Sequence, residues 1–196
     1  MTCLCGGGAR GLAVAIYLGT TGVRMNSADA LYTGLATDLI DDDERNAFVD
    51  AIGAHGLPEA LRRFGLERSA AGESAVEARI ERIEDVFSRG TAQEMIAALE
   101  SGAQDEWATE TLGMLRSHCP TSIVATIELL RAGAEAADLR ECLDNELALG
   151  AWITARPDFV EGVHAVVIDK DRNPTWDPAD LDAVDVDGIR VALAGN

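Results

Sequence analysis

Arg156-Pro157-Asp158-Phe159-Val160-Glu161-Gly162-Val163-His164-Ala165-Val166-Val167-Ile168-Asp169-Lys170-Asp171 decides how the second half of the chain is built. A residue before proline is pushed out of the α region, so a helix must break at Pro157, and proline is favoured in the first turn of the next helix. Phe159, Val163 and Val167 then share one face, although Ala165 to Ile168 is apolar enough for a short strand. Upstream, a long helix is expected from about Asp138 to Arg156, with Leu139, Cys142, Leu143, Leu147 and Ile153 at helical spacing.

Working outward, more helices show themselves by their ends. Ser74-x-x-Glu77 and Thr91-x-x-Glu94 both fit the capping box, in which a hydroxyl accepts from the third amide and a carboxylate reaches back. Val76, Ile80, Ile83 and Phe87 form the stripe of the first helix, which Gly90 stops. Met95, Ile96 and Leu99 form that of the second, which Gly102 ends. Trp107, Thr111, Met114 and Leu115 mark a third up to Cys119-Pro120. Ile123, Ile127 and Leu130 mark a fourth ending at Gly133, with Thr121 or Ser122 expected as its cap. Ahead of these, Gly11 to Leu18 reads as buried. Ala28 to Ile40 mixes helical and strand character, with one short strand expected near Leu35 to Ile40. The fold class expected is mainly α. The divisions are a front piece at 1–40, a connector at 41–72 with one short helix from Pro58, a helical region at 73–178 and an acidic tail at 179–196.

Lys plus Arg total 16 against 34 Asp plus Glu, a formal charge of −18, which repels nucleic acid and anionic membrane surfaces at long range. No nucleic-acid or membrane partner is therefore expected. No apolar run approaches the roughly 20 residues of a membrane span, and Met1 opens no secretory leader, so the compartment expected is the cytoplasm. Cys3, Cys5, Cys119 and Cys142 are read as reduced structural thiols, because Cys-x-Cys lacks zinc-knuckle spacing. Asp38 and Asp41 to Asp43 match no calcium loop and read as a solvated acidic turn. His118 beside Cys119 reads as two neighbours pointing apart, and His55 as a loop histidine. No metal site and no cofactor are assigned. Lys170 is the only lysine, a point charge without a substitute nearby in the chain.

The quoted stretch, continued through Pro174, Trp176 and Pro178, resembles the closing signature of the 3-hydroxyisobutyryl-CoA hydrolases, a family of the crotonase superfamily. That signature is written RPDF-x-EGV-R-A-x-x-IDKD followed by P-x-W-x-P, and the departure is His164 in place of an arginine. Three more blocks fall in the family's order. Trp107 to Leu112 with Ser117 to Ser122 is similar to WA-x-ETL-x-x-L-R-S-x-x-PTS. Tyr17 to Gly22 resembles YLALTG, and Ala28 to Thr37 resembles ADAL-x-x-GLAT.

The resemblance implies the C-terminal helical part of a crotonase fold with most of the β-spiral missing, and an acyl-CoA substrate. Thioester hydrolysis needs an oxyanion hole and a carboxylate that attacks or activates water. In the family the carboxylates lie in a block PET-x-IG-x-x-PD-x-G that this sequence does not contain. In a gap-free register the chain begins just after the family's catalytic Asp, so no catalytic residue is assigned. Gly6 to Leu12 resembles the family's oxyanion loop in letters but falls at the wrong distance. It reads as a junction, a shifted reading frame or a flexible lead-in. Lys170 matches a family lysine that approaches the nucleotide end of CoA, and is the one CoA-binding residue assigned. The alternative is a surface lysine paired with Asp169 or Asp171. Val166 stands where hydratases carry an adenine-holding aromatic. Three functions are implied: a hydrolase of valine breakdown inactive in this form, a helical remnant that pairs with itself or with a full-length relative, or a CoA-binding module.

Overall fold

A computed structural model describes residues 9–102 and 104–195. The glycine run and Cys3 and Cys5 lie outside them. Eleven helices succeed one another among the described residues: α1 (Ala9–Thr21), α2 (Ser27–Tyr32), α3 (Arg45–His55), α4 (Leu57–Phe64), α5 (Ile80–Phe87), α6 (Ala92–Ser101), α7 (Glu106–Ser117), α8 (Pro120–Glu135), α9 (Leu139–Thr154), α10 (Pro157–Val163) and α11 (Val186–Leu193). The only sheet among these residues is a two-residue antiparallel pair, β1 (Leu39–Ile40) with β2 (Gly65–Leu66), in the register Leu39 to Leu66 and Ile40 to Gly65. The expected strand near Leu35 to Ile40 is thus present at its last two residues. The chain divides into two compact units, Met1–Val23 with Glu81–Asn196, and Arg24–Ile80.

The larger unit is assembled around α1 and α8, with α7 and α9 packed on them. Ala13, Ile16 and Tyr17 of α1 and Ile123, Ala125, Ile127 and Leu130 of α8 are buried. The Tyr17 ring meets Phe87 edge-on at 5.2 Å and Trp107 at 6.0 Å, and the Trp107 indole N–H donates to the Tyr17 hydroxyl at 3.4 Å. A buried indole needs such a partner. Arg82 lies over the other part of Trp107 at 4.9 Å and pairs with Asp105, which also caps α7 by accepting from the Ala108 amide. Thr20 and Thr21 bury their hydroxyls by donating to Ile16 and Tyr17 carbonyls at 2.7 and 2.6 Å. Gly22, at φ +64°, ends α1 in the left-handed conformation glycine permits.

The capping box at α6 forms as read, with Thr91 Oγ1 accepting from the Glu94 amide and Glu94 accepting from the Thr91 amide. At Ser74 the outcome differs. Its oxygen accepts from the Glu77 amide, but a 3₁₀ turn over Glu77–Arg79 intervenes and α5 begins only at Ile80. The Ser74 hydroxyl donates its proton to Asp29 at 2.7 Å. The position before α8 is also corrected: Cys119 occupies the cap, without a capping side chain, and Pro120 opens the helix.

Three further expectations change. The leucines of α9 do not face the core: Leu139, Leu143 and Leu147 are exposed, while Cys142 and Leu149 are buried. Cys142 and Leu149 lie seven residues apart, two turns along one face, whereas steps of four walk a stripe about 40° round the helix each time. Ala165 to Ile168 is no strand. It continues the chain of α10 as a π turn over His164–Ile168. The tail from residue 179 ends in α11, capped by Asp185, with Ile189 fully buried and Arg190 paired to Glu128 of α8 at 2.7 Å.

The smaller unit corrects the connector. Beside the expected helix from Pro58 it holds α3, with Gly56 at φ +83° between the two, and His55 closes α3 rather than lying in a loop. Phe48 meets Phe64 edge-on at 6.3 Å, a tertiary contact that fixes a helix whose own periodicity is weak. Its most buried polar side chain is Asp29, 2% exposed. Its carboxylate accepts from the Asn26 amide at 3.0 Å, the Val76 amide at 2.9 Å and Ser74. Burial pushes that carboxyl up, and these hydrogen bonds together outweigh it, holding Asp29 below the usual carboxylate range.

Candidate functional site

The closing stretch folds back on itself. Pro157 opens α10, and Asp158 and Glu161 stand three residues apart, on one side of the helix. Asp158 Oδ1 accepts from the Asp177 amide at 2.8 Å and Glu161 Oε1 from the Thr175 amide at 2.7 Å. Two carboxylates thereby clasp the segment Thr175 to Asp177. Between them Trp176 closes on Gly162, where an added Cβ would stand 3.3 Å from the indole. A side chain at position 162 would require the indole to give way by a few tenths of an ångström.

The second oxygen of Asp158 accepts from the Cys119 thiol at 3.3 Å, tying the clasp to the start of α8. Burial pushes the Cys119 thiol up, opposed by hydrogen bonds from Ser122 and reinforced by the Asp158 carboxylate. A buried neutral thiol that donates a hydrogen bond is structural. His118 turns the other way, its Nδ1–H donating to the Thr20 carbonyl at 2.9 Å, one of the acceptors left open at the end of α1. His118 and Cys119 therefore form no pair.

Beside the clasp runs an apolar groove of about 360 Å³, lined among others by Cys119, Ile153, Phe159, Val163, Val166 and Trp176. Arg156 stands at its edge, stacked 3.9 Å over the Trp152 ring. Lys170 is not part of this groove. It comes after the π turn at φ +60°, and Arg172 takes φ +56°, two non-glycine residues in the left-handed region within three positions. Each such residue costs about 1–2 kcal/mol unless its surroundings hold it. The Asp169 amide donates to the His164 carbonyl at 2.8 Å, Arg172 to Ala165 at 3.0 Å, and Asn173 to the Asp171 carboxylate at 3.0 Å. The turn is thus fixed by its backbone, and Asp171 is engaged within it. Among the described residues no ion pair is made by Lys170, whose ammonium is exposed.

Sequence reasoning singled out Lys170 and passed over Asp158, Glu161 and Gly162. The signal was present: two carboxylates three apart, followed by glycine, in the same block as a tryptophan. The acidic run behaves as a turn, with Asp41 accepting from the Asp43 amide and capping a 3₁₀ turn at Asp42–Glu44. Of the described helices, none is long and apolar enough to cross a membrane.

Residues 9–193 match the model of a family described as enoyl-CoA hydratase/isomerase. The chain is 28% identical to the mitochondrial 3-hydroxyisobutyryl-CoA hydrolase of Dictyostelium discoideum, over 87% of this chain and 46% of that protein. It is 30% identical to the small ribosomal subunit protein mS47 of Arabidopsis thaliana, over 88% of this chain and 45% of that one. The crystal structure of an enoyl-CoA hydratase from Rhodobacter sphaeroides 2.4.1 superimposes with a TM-score of 0.79 at 33% identity, covering 96% of this chain and 55% of that one. The chain spans about half the length of the curated relatives it matches.

Proposed function

We propose a function from the premise that this chain belongs to the enoyl-CoA hydratase/isomerase family: it provides the helical, CoA-side part of an acyl-CoA thioester hydrolase of valine breakdown, and releases no CoA by itself. The observation that carries the reading is the turn presenting Lys170. It is anchored before by the π turn and after by the clasp on Thr175 and Asp177, so an unpaired ammonium is held on a fixed backbone. A compact ammonium in such a place suits a phosphate. The lack of catalysis rests on the buried carboxylates. Among the described residues these are Asp29 and Asp158, and the hydrogen bonds they accept from backbone amides and from a hydroxyl or thiol hold both in structural roles. A cytoplasmic setting belongs to the same proposal.

Calorimetry with CoA on the chain and on Lys170→Ala tests the binding, with weaker binding expected in the variant. Equal affinities remove Lys170 from the site. Incubation with 3-hydroxyisobutyryl-CoA tests the chemistry, and CoA release above the uncatalysed rate overturns that half of the reading. A second reading is a non-catalytic subunit of a protein assembly, favoured by the likeness to a protein named as a ribosomal subunit. At −18 such a chain would enter an assembly through protein rather than nucleic-acid contacts. It predicts no CoA binding at all.

A further inference from the structure

Neither Lys170 nor the buried carboxylates account for the apolar groove beside the clasp. Phe159, Val163 and Val166 of α10 and the π turn line it together with Ile153 of α9 and the Trp176 ring. Two charged side chains also border it, and they differ. Asp158 is buried, and its two oxygens already accept from the Asp177 amide and the Cys119 thiol. Arg156 is half-buried and stacked on Trp152 and, in a chain with 34 acidic residues, makes no ion pair among the described residues. Stacking holds the guanidinium plane without using its N–H donors, which stay available as a planar fork.

We infer that the groove binds a free carboxylic acid of medium chain length, its carboxylate on the Arg156 guanidinium and its chain along Phe159, Val163 and Val166. The guanidinium fork matches a carboxylate with two parallel hydrogen bonds. Asp158 sets the direction: an ionised carboxylate offers no donor and repels a second negative charge, so the head of the ligand lies at the Arg156 end and only the chain passes Asp158. The groove, about 360 Å³, stands at the small end of the roughly 300–1,000 Å³ typical of small-molecule sites, which suits a chain of about eight to ten carbons. An uncharged ester of the same chain would fill the walls and leave the guanidinium unmatched. The formal charge of −18 opposes any anion at long range, so the affinity has to come from this one contact and the apolar walls. The inference is independent of CoA binding at Lys170 and of hydrolysis.

Calorimetry and tryptophan fluorescence of the whole chain with sodium octanoate test it, since Trp176 lines the groove and Trp152 lies under Arg156. The expected result is saturable one-to-one binding with a dissociation constant between about 10 μM and 1 mM, as a ligand of this size allows. Decanoate binds about fourfold more tightly, because each methylene entering a half-open groove contributes about twofold. Methyl octanoate, the same chain without the charge, binds at least about tenfold more weakly, and so does octanoate to Arg156→Gln. Arg156→Lys, which keeps the charge without the fork, recovers part of the loss. Val166→Glu, at a position 59% exposed, keeps its circular dichroism and weakens octanoate by placing a second carboxylate in the wall. No saturable binding at octanoate concentrations up to about 10 mM overturns the inference. Equal affinities for octanoate and its methyl ester, or for the wild type and Arg156→Gln, overturn it too, as does release of bound octanoate by added CoA, which would give the groove to CoA.

Discussion

Replacing Asp158 by alanine removes a side chain that hydrogen-bonds both the start of α8 and the returning segment at Asp177. The bond from the Asp177 amide is charge-assisted and short, 2.8 Å, and such a bond contributes about 1.5–3 kcal/mol. The Cys119 thiol at 3.3 Å is a weak donor and adds less than about 1 kcal/mol. Water replaces part of the first contact, because the segment at Asp177 is exposed. The expected loss is about 2–3 kcal/mol, and for a chain of this size about 2–4 °C per kcal/mol gives a fall of roughly 5–10 °C in Tm. The assay is built into the molecule. All three tryptophans, Trp107, Trp152 and Trp176, lie in the larger unit, so fluorescence excited at tryptophan during urea unfolding reads that unit alone. Hydrogen exchange at the Thr175 and Asp177 amides reports the clasp itself, and Asp158→Asn, which keeps one accepting oxygen, recovers about half the loss. A change below about 0.5 kcal/mol, with exchange at Asp177 unaltered, would refute the clasp as a source of stability.

Two more outcomes concern other caps and carboxylates. Thr91→Ala removes one half of the capping box of α6 and destabilises the larger unit by about 1 kcal/mol, read by the same tryptophan signal. Asp29 has its folded pKa held below the ordinary value, so the stability it contributes is fully present above about pH 4 and is lost as pH falls through the folded pKa. Protection of the Val76 amide, its exchange taken relative to the intrinsic rate at each pH, falls below about pH 4 in the wild type, and Asp29→Asn flattens that dependence while starting from a less protected state.

Much of the helical order is written in local chemistry. Thr91 with Glu94, Pro120, Asp138 and Pro157 mark helix starts through atoms only a few residues apart, and each lies at or next to a real boundary. Where local chemistry misleads, a distant residue decides. Ser74 accepts from the Glu77 amide as the capping pattern asks, yet Asp29, 45 positions away, takes the Ser74 proton and the Val76 amide, and regular α-helix begins only at Ile80. The orientation of α9 depends on what α8 and α11 present to it, which no periodicity within α9 contains. The closing motif is legible as a family signature but not as a mechanism. That Asp158 and Glu161 hold amides, and that Gly162 makes room for Trp176, emerges only when residues 14 to 19 apart are brought together.

The interleaving of the two units orders events during synthesis. Helix α1 is made before the side chains that receive Tyr17 and the carbonyl of Thr20, namely Trp107 and His118, which follow 90 and 98 residues later. In the interval the apolar face of α1 has no native surface to rest on, while residues 24–80 already constitute a complete compact unit. Burial of the first helix must therefore wait for α7 and α8, and such long-range closure raises the contact order of the larger unit above that of a helical bundle joined only to its sequence neighbours.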